Sequence, residues 1–127
     1  ILVDSAATAA NVKTGTVGLL LSLTAGMNTV TSYDKGLGGA VTAGVSRAVV
    51  FLNSITPGNY GFVQELGDAN VLFNGTASGN AGAPVYAAAS GLGTSSSTSA
   101  IVLGGAAAVL SASVLNRVIL DLPVVQG

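Results

Sequence analysis

The chain has no histidine, no cysteine and no tryptophan, only three prolines, and just four basic and five acidic side chains in 127 residues. Each absence closes a route. Without cysteine there is neither a disulfide framework nor a thiolate metal site. Without histidine the commonest general acid–base is gone, so a nucleophilic serine would need Lys13 or Lys35 as its base. Both lysines sit in turn-like sequence (NVKTG and YDKGLGG), where exposure is expected and a Ser–Lys dyad is not. A net charge of −1 with no basic cluster lacks the footprint of nucleic-acid binding.

Charged residues make up 7 % of the chain, against about 25 % in ordinary soluble domains. Mean hydropathy is +0.70 and half the residues are hydrophobic, yet aromatics are only 5 %. A core must therefore be built from Val, Leu, Ile and Ala. Such a surface either relies on Ser, Thr, Asn and Gly for solubility or is covered by copies of itself or by a larger partner, and the second reading is preferred. The uncharged run 14–33 has the length to span a bilayer but is dense in Gly, Ser, Thr and Asn, and no membrane association is expected. Position 1 is Ile rather than Met and no basic signal-peptide region is visible, so residues upstream are expected to have been removed or to lie outside this numbering.

By size the chain is one domain. Short apolar runs punctuated by turns about every ten residues predict an all-β fold: a small barrel or sandwich of short antiparallel strands with an extended N-terminal arm. Residues 1–15 are the arm or an edge strand, and 16–127 form a single β-rich domain. TVGLLLSL (16–23) reads as a strand buried on both faces, NTVTSY (28–33) and SRAVVFL (46–52) as further strands. The glycine-dense 34–44 reads as a loop, and its GLGGAVTAG lacks the spacing of a phosphate-binding loop. Pro57-Gly58 predicts a tight turn.

In NYGFVQELGDANVLF (59–73), Val63, Ala69, Val71 and Phe73 share one parity and Phe62, Leu66 and Leu72 the other. The inward face is expected to switch at a bulge or bend near Gly67. This places Phe62, Val71 and Phe73 in the core and Gln64, Glu65 and Asp68 toward solvent or a partner. Asn74-Gly75 predicts a hairpin, and its sequon with Thr76 is read as turn chemistry. A strand starts near Pro84, 91–99 (GLGTSSSTS) is an exposed, mobile loop, and 101–110 and 117–125 are closing strands joined by a turn at Leu115-Asn116. A helix over 105–115 is the alternative there. Val118, Leu120 and Leu122 alternate against Arg117, Ile119 and Asp121.

Of the carboxylates only Glu65 and Asp68 are close in sequence, and on one strand positions i and i+3 face opposite ways, so a paired-carboxylate hydrolase is not expected. No dense oxygen-ligand spacing suggests calcium. Arg117 and Asp121, on one face about 13 Å apart, are expected to pair across strands or across a subunit boundary rather than with each other. No catalytic residue, cofactor or metal is expected, and the chain is read as not an enzyme.

The order from Thr56 to Pro123 (a Pro-Gly turn, YGFVQELGDANVLFNGT, AGAPVYAAASG, a Gly/Ser/Thr loop, IVLGGAAA and NRVILDLP) resembles the capsid decoration, or cement, proteins of tailed bacteriophages. The resemblance covers just over half the chain. It implies a structural virion protein on the outer surface of an icosahedral capsid, binding the major capsid protein and stabilising contacts between its subunits. It also implies a homo-oligomer, a trimer above all, with the N-terminal arm taking part. The candidate partner contacts are Ile1, Leu2, Val3, Gln64, Glu65, Asp68, Arg117 and Asp121. Two other readings stand beside it: a subunit that assembles with itself into a shell, tube or fibre, and a small binding module on a virion, the latter short of exposed aromatic candidates beyond Tyr33, Tyr60 and Tyr86.

Overall fold

The computed structural model describes residues 1–21, 29–35, 47–97 and 101–121. Residues 36–44 of the first expected loop and 98–99 of the second, the strand ends at 22–23, 28 and 46, and Leu122 to Val125 of the last strand lie outside the described residues. Among the described residues there are ten short strands: β1 (Leu2–Val3), β2 (Val17–Leu20), β3 (Thr29–Ser32), β4 (Ala48–Phe51), β5 (Val63–Gln64), β6 (Leu66–Leu72), β7 (Pro84–Ala87), β8 (Gly93–Thr94), β9 (Val102–Ala106) and β10 (Leu115–Asp121). They form two five-stranded sheets, ordered β1-β3-β2-β4-β5 and β6-β10-β9-β7-β8. The fold is all-β.

The two-sided burial expected of residues 16–23 is the key to the packing. On β2, Val17 and Leu19 face the second sheet, and on β4 Ala48 and Val50 do the same. Their strand neighbours Val49 and Phe51 point the other way, into a smaller core with Val3, Val12, Val30 and Ile55. Alternate side chains of one strand thus enter two cores. The larger core lies between the sheets and takes Ala69, Val71 and Phe73 from β6, Leu103 from β9, and Val118 and Leu120 from β10.

Residues 1–15 lie against the body rather than extending from it. Strand β1 pairs with β3 in parallel, whereas every other strand pairing is antiparallel. On its other side Leu2 bridges Tyr60, the Val3 N–H donates to Asn59 O (2.9 Å) and the Gly61 N–H donates to Ile1 O (2.9 Å). Residues 58–61 lead straight into β5, so these bonds bring the two edges of the first sheet together around the smaller core.

The segment 59–73 corrects its parity reading. Gly67 has φ +86°, a conformation that favours glycine, and β6 runs through it in unbroken register with β10, so no bulge interrupts the ladder there. Odd-numbered positions point inward on both sides of it. Val63 packs against the smaller core, while Ala69, Val71 and Phe73 enter the larger one. The chain passes from one sheet to the other at Glu65, between β5 and β6, without switching face, and Phe62 is left 77 % exposed instead of buried.

Three turn expectations also change. Asn74 makes a local turn, its Oδ1 accepting from the Thr76 N–H (2.8 Å), but β6 pairs with β10 and β7 with β8 and β9, so no hairpin joins β6 to β7. The expected turn at Leu115-Asn116 is the start of β10. Asn116 is buried there, its side chain accepting from the Ser111 N–H (2.9 Å) and donating to Ser111 O (2.8 Å) and Val114 O (3.2 Å), which fixes the preceding loop. Finally, the expected mobile loop is anchored at its start: Gly93 and Thr94 are buried in β8, and the Ser95 N–H donates to Thr76 O (3.0 Å). Strand β9 replaces the helix alternative, and the Pro57-Gly58 turn and the start of β7 at Pro84 are as expected.

Candidate docking surfaces

The outer face of the second sheet gathers three of the expected contact residues. In the register of β10 with β6, Asp121 lies opposite Leu66, Ile119 opposite Asp68 and Arg117 opposite Asn70. All alternate away from the core. Arg117 reaches diagonally to Asp68, its Nε donating to both carboxylate oxygens (3.3 and 3.2 Å) and its Nη2 to Oδ2. The guanidinium holds the Asp68 carboxyl below its usual range, and that carboxylate raises the Arg117 pKa in return. Arg117 thus pairs across strands, one of the two arrangements its position in the sequence suggested.

Beside this ion pair lies a groove of about 600 Å³ walled by Leu66, Val102 and Ile119, with Asp121 at its end. The groove exists because the outward position between Ile119 on β10 and Pro84 on β7 is Gly105, which adds no side chain.

The other expected contacts are dispersed. Val3 is fully buried and belongs to the smaller core, so it cannot meet a partner; Ile1 and Leu2 are half-buried. Glu65 accepts from Arg47 Nη1 (3.3 Å). Gln64 turns its amide back onto the chain, donating to Leu66 O (2.9 Å) and Asp68 O (2.8 Å).

A second surface escaped the sequence reading. Tyr60 is 70 % and Phe62 77 % exposed, and Leu52, whose N–H donates to Phe62 O (3.2 Å), is 47 % exposed beside them. The signal was present: Tyr60 and Phe62 share a parity opposite to Val63, and Val63 faces the core. Two aromatics left in water by a chain so poor in them form a patch of the kind that anchors protein interfaces. Tyr33, by contrast, is buried in the larger core, its hydroxyl donating to Ala87 O at 3.4 Å.

A third cluster is a clamp. Asp34 accepts from the Thr8 hydroxyl (2.6 Å) and the Asn11 amide (3.0 Å), and Ser32 Oγ accepts from the Thr8 N–H (2.9 Å). Partial burial by itself would raise the Asp34 pKa. Hydrogen bonds from Thr8, Asn11 and Ser32 and from its own backbone outweigh that and bring it from 3.8 to about 2. A carboxyl lowered by folding contributes stability that is present above its ordinary pKa and lost as pH falls through the folded value. Asp34→Asn is therefore expected to flatten the fall of the melting temperature between about pH 4 and about pH 2. Parallel melting-temperature curves for the two proteins across that window would reject the clamp.

Among the described residues no three His, Cys, Asp or Glu side chains gather to hold a metal ion, and no helix is long and apolar enough to cross a membrane. No protein family, no curated protein and no solved structure matches the chain.

Proposed function

We propose that the chain is a structural virion protein that docks on the outside of an icosahedral phage capsid and stabilises contacts between major capsid protein subunits. The observation that carries the reading is the Leu52, Tyr60 and Phe62 patch: large apolar side chains held out in water beside the smaller core, in a chain with 7 % charged residues. The order of motifs between Thr56 and Pro123, which resembles capsid decoration proteins, adds to it. Apolar contacts repeated over many lattice positions give tight attachment from individually modest sites and tolerate high salt.

Cosedimentation with assembled capsids of its virus tests the reading. The purified chain is expected to be a discrete species by light scattering coupled to size exclusion, a trimer above all, and to pellet with capsids. Phe62→Ser removes contact area without touching the core, so stability should stay within about 0.5 kcal/mol of the parent while cosedimentation is lost. Retained cosedimentation would remove the patch from the interface. Open-ended growth of the purified chain into large particles would instead make it a self-assembling shell, tube or fibre subunit.

A further inference from the structure

Among the described strands β6 lies at the edge of the second sheet, and an edge strand offers unpaired main-chain groups to any other strand that comes near. Its two sides can be told apart. The Phe73 N–H donates to Val114 O (3.0 Å) in continuation of the pairing with β10, so odd-numbered residues bond to β10. The main-chain groups of Leu66, Asp68, Asn70 and Leu72 point outward. At the far end the Leu72 N–H donates to Gly15 O (2.8 Å). At the near end the single amide nitrogen of Gln64 donates to both Leu66 O (2.9 Å) and Asp68 O (2.8 Å). Between these caps no described residue answers the N–H of Asp68 or the N–H and C=O of Asn70, and Asp68 and Asn70 are exposed.

We propose that Gln64 is a guard on this edge, and that what it keeps off is a second copy of the same strand. The open stretch is complementary to itself. In an antiparallel pairing about a two-fold axis at Ala69, Asp68 of one copy meets Asn70 of the other, and each such pair exchanges two main-chain bonds. No like charges are then opposed, since Asp68 faces an amide and already carries Arg117. The bond needed at Asp68 O is the one Gln64 occupies. The Gly15 contact at Leu72 stops the ladder after the central pairs, so each edge takes up one other edge and the pairing goes no further.

Gln64→Ala is expected to keep a cooperative melt and to move, as concentration rises, toward about twice the wild-type mass by light scattering. Asn70→Pro added to it should restore the wild-type mass, because that N–H lies outside the ladder with β10 and its removal spoils only the edge. Gln64→Glu keeps the length and cannot donate, so it should behave as Gln64→Ala does and serves as the reading if the alanine variant does not fold. A Gln64 variant that stays folded and keeps the wild-type mass at every concentration would overturn the proposal, and so would association that persists with Asn70→Pro.

Discussion

Phe73→Ala should lower the free energy of unfolding by about 3 to 5 kcal/mol, the cost of removing a ring and leaving a cavity that its neighbours cannot fill. Phe73 is 2 % exposed in the larger core. Its ring lies so close over Gly93 that a methyl group there would stand 2.7 Å from it. The site is closed by backbone on that side and cannot collapse readily. Urea denaturation measures the loss, and a value under about 1 kcal/mol would remove Phe73 from the core.

Gly91→Ala should cost about 3 kcal/mol, from two causes that can be separated. The residue has φ +77°, and a Cβ there would lie 2.4 Å from the carbonyl oxygen of Val17 on β2. That oxygen belongs to a strand buried on both faces, so it cannot step aside as a side-chain tip would. Gly67→Ala is the control: φ is +86° but the nearest atom to its Cβ would be Gln64 Nε2 at 3.8 Å, an ordinary contact. It should lose only about 1 kcal/mol, the strain of the backbone conformation. Equal urea midpoints for the two variants would show that the close approach of Gly91 to β2 carries no cost.

The sequence disclosed its strands where side chains alternate or where burial is two-sided. β10 is the clearest instance, with Asn116, Val118 and Leu120 inward and Arg117, Ile119 and Asp121 outward. β4 is the other kind, a run of Ala, Val and Phe buried throughout. Partnership was not legible. Asn74-Gly75 specifies a local bend, and nothing within a few residues of it can say that β6 turns away to pair with a strand forty residues further along. The serine-rich 91–97 looks like loop because composition does not register where its hydroxyls go: Ser95 Oγ accepts from the Ser78 N–H (2.9 Å) and donates to Ser78 O (3.0 Å), beside the main-chain bond from Ser95 to Thr76. Of the expected contact residues, the Asp68 and Arg117 pairing was within reach of charge and parity. The Tyr60 and Phe62 patch was missed because a face switch near Gly67 was expected to turn Phe62 inward, whereas odd-numbered positions face the cores throughout and both aromatics stay in water.

Strands β2 and β4 are a party wall, with one face lining each core. Each compartment loses one of its walls without them, so loss of packing on one side removes the backing from the other. No half of this chain can persist as a folded intermediate while the other half opens. Denaturant or heat should meet a single barrier, and a cut anywhere between Val17 and Phe51 should leave fragments that hold no structure until they recombine.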